Sequence, residues 1–444
     1  MTEPNILLAG LIEEAGISNA GLASRVNRVL RTRYDHTAVA RWIRDHATPR
    51  GRAPQVICDV LTQRLGRTIT MSDIGMGRGA ASGNASDLGA VATRTAAMWR
   101  RDARHESFLK DARPVGGAAV IMPLFEWENP PGDLDVSGSG RTSIGIRDVN
   151  RLHTARHRYE EMYRRAGGIP VRPRLARFLA EQVTPMLSAS FSDATGRRLY
   201  RTVGSLTALA GICAYDAPRQ ALAQRYFLSA LRMAKASADR RFGAYVVALL
   251  ANQAMAAAEY RLVIQYCETA LRAAGPDLTP ALVSDLCTMQ ARAYARLGDQ
   301  RSCHAQMARS ESMSGRIRIE EEPEETSYVQ PGLVETQHSE ALRQLGDLGA
   351  AEEYADEAVR TGGQAHLRGQ VHRYAGLAVI RAQRGRVHEA VEPAREMLAR
   401  VRGMESDRLQ DRVHQVRRAI AGRSRDPEVR EFAEQADEEL RLGL

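Results

Sequence analysis

The 444-residue sequence predicts a mainly α protein, with a bundle of short helices at the N-terminus followed by a long array of stacked helix pairs. Three observations carry that prediction. Apolar residues recur at three- and four-residue spacing through most of the chain, the period of one helix face. Aromatics are only 5% of residues while charged residues reach 26%, a mix that suits helices with strands in the minority. Short turn sequences also recur between Ala214 and Arg386 at intervals of 39–48 residues. The formal net charge of +9 is carried by arginine, since Lys110 and Lys235 are the only lysines. No window approaches the roughly 18–20 uninterrupted apolar residues of a membrane span, and the N-terminus lacks a basic stretch followed by an apolar run. A cytoplasmic protein is therefore expected. Cys58, Cys213, Cys267, Cys287 and Cys303 are scattered and never in Cys-x-x-Cys spacing, which reads as buried small residues rather than disulfides or zinc ligands.

The first helix is expected over Asn5 to Ala15, with Ile6, Leu7, Leu8, Leu11 and Ile12 on its apolar side and Gly16 ending it. Ser18 or Asn19 can cap a second, Ala20 to Leu30, whose Leu22, Ala23, Val26, Val29 and Leu30 form a stripe. The basic turn Arg31-Thr32-Arg33-Tyr34 leads to Asp35, whose carboxylate can cap a third helix running to His46. There Val39, Ala40, Trp42 and Ile43 fall on one face, and Thr37, Arg41 and Arg44 on the opposite one. Ala47 to Pro54 breaks the pattern, and a fourth helix, Gln55 to Leu65, turns Val56, Ile57, Val60 and Leu61 inward. Between Arg25 and Arg52 eight arginines face only Asp35 and Asp45, a local excess of six positive charges. An arginine face on an apolar anchor is what reading a DNA groove requires, since guanidinium forks match the guanine edge. An ordinary amphipathic surface helix is the alternative.

The order of these helices, with Arg41-Trp42-Ile43-Arg44, Thr48-Pro49-Arg50-Gly51 and Leu61 to Gly66, resembles the repressor-like helix-turn-helix domains of bacterial regulators. It departs from them in the connection, where about six more residues separate Leu22-Ala23 from Val39-Ala40, so the second helix is expected to be longer. The resemblance implies double-stranded DNA as partner, with Arg33, Thr37, Ala38, Arg41, Arg44, Arg50 and Arg52 as candidate contacts. Arg50 and Arg52, after the reading helix, would position on phosphates rather than specify sequence.

From Ile69 to about Gly145 the chain changes character. Gly75-Met76-Gly77-Arg78-Gly79 and Ser82-Gly83-Asn84 read as a flexible joint. A helix is expected from Asp87 to about Leu109, with Leu88, Val91, Thr95, Met98 and Trp99 apolar. Ala118 to Phe125 reads as extended, a strand packed across the next domain. Asn129 to Asp133 and Ser137 to Gly140 read as a second linker. Beyond Ile146 the recurrent turns are Ala214-Tyr215-Asp216, Ala258-Glu259-Tyr260, Leu297-Gly298-Asp299, Leu345-Gly346-Asp347 and Arg384-Gly385-Arg386. They separate Ala-rich helices such as Met289 to Leu297, Ala350 to Val359 and Val387 to Leu398. The units exceed the ~34 residues of an ideal tetratricopeptide repeat but resemble it in placing small residues between antiparallel helices. Stacked pairs of this kind share a core and leave a groove, an α-solenoid. The expected domains are 1–75 (helix-turn-helix), 76–145 (connector) and 146–444 (tetratricopeptide-like repeats).

Other clusters point to no catalysis. Ser137 to Ser143 lacks the Gly-Lys-Ser/Thr ending of a phosphate loop and reads as linker. His153 and His157 lie four apart on a helix with Arg156 and Arg158 beside them and no third ligand nearby in sequence, so no metal is assigned. Glu320 to Glu325 reads as a solvated acidic loop, or as a competitor of DNA for the basic domain. The arginines from Arg147 to Arg201, among them Arg172, Arg174, Arg177, Arg197 and Arg198, read as a solvated face or as a site for an anionic partner. No Ser-His-Asp, Cys-His or paired-carboxylate arrangement marks an enzyme, and no cofactor is implied.

As a whole, the reader, the long joint, the repeats and the Arg-for-Lys bias resemble the actinomycete developmental regulators of the Streptomyces NsdA type. That resemblance implies a transcriptional repressor of sporulation and antibiotic production. It would act as a homodimer presenting two reading helices about one helical turn apart, with a peptide, protein or small-molecule effector in the repeat groove. The other expectation is a tetratricopeptide scaffold or adaptor whose N-terminal bundle no longer binds DNA.

Overall fold

A computed structural model describes residues 5–45, 47–65, 69, 71, 73–76, 88–104, 114–131, 134–363, 366–421 and 426–442. Its contacts divide the chain into two units, Met1–His105 with Arg177–Ser188, and Glu106–Ala176 with Ala189–Leu444.

In the first unit, α1 (Ile6–Glu14), α2 (Asn19–Leu30), α3 (His36–Arg44) and α4 (Ala53–Leu65) pack as a bundle of short helices. Each of the first three starts where a side chain satisfies an orphan amide of the first turn: Asn5 accepts from Leu8 N–H (3.0 Å), Ser18 from Gly21 N–H (3.0 Å) and Asp35 from Ala38 N–H (2.8 Å). Their inner faces supply one core, in which Leu8, Leu22, Val26, Val39, Trp42, Ile57 and Leu61 are buried. Ile69, Ile74 and Met76 join that core. The rest of the expected first joint, 77–87, lies outside the described residues. α5 (Leu88–Ala103) covers most of the helix expected there and buries Trp99, while 105–113 also lie outside the described residues.

The second unit is an α-solenoid-like array of consecutive helix pairs. It opens with α6 (Ala118–Glu128), α7 (Ile146–Ala166) and α8 (Gly168–Phe178), which runs into a π-helical turn and the short α9 (Thr184–Leu187) of the first unit. The pairs follow: α10 (Asp193–Asp216) with α11 (Gln220–Ser237), α12 (Arg240–Ala256) with α13 (Tyr260–Ala274), α14 (Pro280–Leu297) with α15 (Gln300–Ser314), α16 (Leu333–Leu345) with α17 (Leu348–Thr361), and α18 (Leu367–Gln383) with α19 (Val387–Val401). α20 (Asp407–Ala421) and α21 (Pro427–Leu442) close the array. Four of the five recurrent turns fall at the junction between the members of a pair, whereas Ala214-Tyr215-Asp216 is the last turn of α10 itself, just ahead of the junction. In two of them the chemistry is explicit. Gly298 (φ 77°) and Gly346 (φ 89°) take the left-handed conformation that ends a helix, and the next residue caps its successor, Asp299 accepting from Ser302 N–H and Asp347 from Ala350 N–H, both at 3.0 Å. Alanines at 291, 295, 341, 351 and 355 are buried in one cluster, which lets the paired helices approach closely.

Two expectations for the connector are corrected. Ala118 to Phe125 is helical, within α6. Its buried Val120, Pro123 and Trp127 are three and four residues apart, a helical stripe that the continuous apolar run concealed. Ser137 to Gly140 is not free linker either: Gly138–Ser139 (β1) pairs antiparallel with Ser190–Phe191 (β2), and Val136 N–H donates to Asp193 at 3.0 Å. The indole of Trp127 lies against Gly243 of α12, where an added Cβ would sit 1.8 Å from the ring nitrogen. Gly243→Ala should therefore displace the indole and destabilise the second unit by about 1–3 kcal/mol, the usual cost of overpacking. A red shift of tryptophan emission and a lower urea midpoint would report it, and unchanged values would reject the contact.

The acidic stretch 320–325 is not simply solvated. Glu325 is 8% exposed and takes a two-pronged ion pair from Arg201 (2.8 and 2.9 Å) together with the Ser205 hydroxyl (2.7 Å). Glu324 accepts from Arg156 at 2.8 Å and also meets His157 and His153, so the structure supplies the carboxylate that sequence spacing did not. Arg156 already holds that carboxylate, where a metal ion would have to sit. Within the basic run, Arg156 and Arg172 are buried, whereas Arg174, Arg177 and Arg198 face solvent. All five cysteines are free and buried. Among the described residues no helix is long and apolar enough to cross a membrane.

Candidate nucleic-acid interface

The candidate interface is built on α3, whose seating is determined by its inner face. Val39 is fully buried and Trp42 is 5% exposed, its ring meeting Tyr34 edge-on with centroids 4.9 Å apart. With those two side chains fixed, helical spacing turns Thr37, Arg41 and Arg44 outward, and all three are exposed. Arg33 before the helix and Arg50 and Arg52 after it are exposed as well; Pro49 is buried and roots the second of those segments. Ala38 is the exception among the candidate contacts. At 5% exposed it belongs to the packed face, because the capping bond to Asp35 turns the start of the helix so that position 38 faces the core.

Two of the outward groups have partners, one at each end of the helix. Thr37 donates its hydroxyl proton to Asp35 (2.7 Å), leaving it an acceptor toward any ligand. Arg44 lies on Asp45, with Nε 3.0 Å and Nη2 3.4 Å from the carboxylate oxygens. That hydrogen bond, ahead of desolvation and charge effects, holds the Asp45 carboxyl below its ordinary value. The pair is exposed on both sides, so water screens it and little opposes its exchange for a base edge or a phosphate.

Sequence reading missed the residue that shapes the long connection. Asn27, on α2, reaches across the loop 31–35: its amide donates to Tyr34 C=O (2.7 Å), and its carbonyl accepts from Tyr34 N–H (2.8 Å) and the Thr32 hydroxyl (2.9 Å). This clamp accommodates the extra residues without loosening α3, and α2 is long, as expected, ending in Arg31 at φ 54°. Asn5 was also missed. Its backbone N–H donates to Ile43 C=O at the end of α3, and its side chain donates to Ile74 C=O (2.8 Å), closing the bundle. The available signal was small: an asparagine at the last turn of an otherwise apolar stripe, and one just ahead of the first helix. Asn27→Ala leaves several loop polar groups unsatisfied and should cost the first unit about 1–3 kcal/mol. Amide hydrogen exchange at Tyr34 would accelerate, and an unchanged rate would rule out the clamp.

Residues 8–77 match the family described as the SP15 N-terminal domain. The matched span contains α2, α3, α4 and most of α1. No curated protein matches the chain.

Proposed function

We propose that the protein is a DNA-binding transcriptional regulator, read out through α3. The observation that carries this reading is the outward arginine pair, Arg41 and Arg44, on a helix whose opposite face is locked by Val39 and Trp42. Exposed Arg33, Arg50 and Arg52 flank it, as phosphate neutralisation requires. In this reading Arg41 and Arg44 address base edges, while Arg33, Arg50, Arg52 and the Thr37 oxygen set register along the backbone. Two copies would present their helices to half-sites about one helical turn apart. The repeat unit would mediate dimerisation or receive an effector, and the resemblance to NsdA-type regulators makes the output repression of development and antibiotic production.

Gel shifts of the intact protein against genomic fragments test the proposal. Arg44→Ala should lower affinity about ten- to hundredfold on the preferred fragment and much less on others, whereas Arg50→Ala should weaken all fragments alike. Equal losses for both would make Arg44 a phosphate contact. Absence of any fragment preference in the intact protein would leave the adaptor reading in its place.

A further inference from the structure

Helix α7 (Ile146–Ala166) presents a line of arginines on its outer face. Its inner face is fixed: Val149, Leu152 and Arg156 are at most 4% exposed, and the Arg156 guanidinium donates to Ser205 of α10 at 2.9 Å. Both ends are tied as well. Asp148 accepts from Gly145 N–H (3.0 Å) at the start, while at the end Ala166 C=O accepts from Glu405 N–H (2.9 Å) and Arg164 donates to Ser327 (3.1 Å). With positions 149, 152 and 156 inward, the step of about 100° per residue sends Arg147, Arg151, Thr154, Arg158 and Arg165 to the opposite side, and all five are exposed. The four arginines fall within a strip about 40° wide and about 27 Å long.

The fold has no use for this line. Among the described residues Arg147, Arg158 and Arg165 make no hydrogen bond or ion pair, and Arg151 meets Asp148 at 3.4 Å in a pair open to water. Arg147 and Arg151, four apart and near the helix start, repel one another and face the positive end of the helix dipole. A merely solvated helix face is favoured by alternating signs at that spacing. Here Glu161 is the only exposed carboxylate of α7. Glu324, on one flank of the helix, is already taken by Arg156 (2.8 Å) and His157.

We propose that this ridge, Arg147, Arg151, Thr154, Arg158 and Arg165 on one exposed line of α7, binds the phosphate backbone of duplex DNA without regard to sequence. Arginine and threonine are phosphate-contacting side chains. No apolar residue between Arg147 and Arg165 is exposed, whereas a lipid surface or a protein partner would engage apolar side chains. Duplex DNA carries a phosphate about every 3.4 Å of axis on each strand, so a straight ridge about 27 Å long spans several of them. The inference rests on the DNA reading above for its polymer and adds a second, sequence-blind surface on the other unit.

The test is fluorescence anisotropy of the full chain on a duplex of unrelated sequence, titrated from low to high salt. Arg147→Gln/Arg158→Gln/Arg165→Gln should reduce the slope of log affinity against log salt by about three and weaken low-salt binding at least about tenfold. A control that removes the same charge from exposed positions of α13 and α15, Arg261→Gln/Arg301→Gln/Arg309→Gln, should leave the slope nearly unchanged. Glu161→Gln should strengthen binding about two- to threefold, which keeps the proposal testable if the triple variant fails to fold; no gain would overturn it. Arg41→Ala/Arg44→Ala should abolish fragment preference and leave the ridge's share of the slope intact. Equal slopes for the ridge and control variants would overturn the ridge and leave the α3 reading standing. Ridge-dependent binding without any fragment preference in the wild type would support the ridge and sink the α3 reading. Equal, ridge-dependent affinity for anionic phospholipid vesicles would overturn the proposal, as would a wild type that does not bind unrelated duplex.

Discussion

Replacing Glu325 by glutamine should lower the stability of the repeat unit by about 3 kcal/mol, because it removes the carboxylate that two arginines share while keeping the side chain's shape. Arg201 donates through both terminal nitrogens to Glu325; without it, Asp239 (2.7 Å) and the face of the Phe242 ring (4.2 Å) remain. Arg156, 4% exposed, also has Glu325 as a close opposite charge. Burial alone would raise the Glu325 pKa; Arg201, Arg156 and the Ser205 hydroxyl outweigh it and hold the group down at about 2. A depressed folded-state value means the stabilisation is complete above the ordinary carboxylate value of 4.5 and is lost as pH falls from there toward 2. Wild type and Glu325→Gln should therefore differ most in urea midpoint near neutral pH and converge in strong acid. A constant difference across that window would show that Glu325 is not ionised in the fold. Glu340, also held well below its usual value, leaves residual acid sensitivity in the variant.

Trp42→Ala should be as costly, about 3–5 kcal/mol in the first unit, since it empties a buried aromatic site that the neighbours refill only in part. The indole packs in the same core as Val39, Val26 and Leu22 and forms the edge-on contact with Tyr34, so its loss also unseats the loop that Asn27 clamps. Thermal melting followed by near-ultraviolet circular dichroism would separate this from a surface effect. A loss below about 1 kcal/mol would mean that α3 is held by something other than its inner face. Trp42→Phe should recover most of the stability and, if outward presentation is what matters, most of the DNA affinity.

Much of this was legible in sequence because single residues dictate it. Ser18 and Asp35 start helices wherever their oxygens can meet free amides, and Gly298-Asp299 and Gly346-Asp347 end one helix and begin the next with two residues. The outward positions of Thr37, Arg41 and Arg44 follow from helical spacing once Val39 and Trp42 face inward. What spacing cannot carry is a partner distant in sequence. Glu325 reads as loop acid until Arg201, 124 positions away, is brought against it. Gly138 and Ser139 read as linker until Ser190 and Phe191 supply the second strand. The run from Ala118 to Phe125 is ambiguous for a different reason: its exposed Ile121, Met122 and Phe125 erase the polar face by which an amphipathic helix is recognised. Ala38 needed the register of the cap, a matter of one position.

The central claim is that the α3 face reads duplex DNA, and the salt dependence of binding tests it most directly. Fluorescence anisotropy of the intact protein on its best genomic fragment, from low to high salt, should give a steep linear fall of log affinity against log salt concentration. Replacing Arg33, Arg50 or Arg52 by alanine should reduce that slope by about one each. The Arg41→Ala/Arg44→Ala double variant should erase the preference for that fragment over unrelated DNA. Binding that is absent, indifferent to salt, or equally selective in the double variant would contradict the claim.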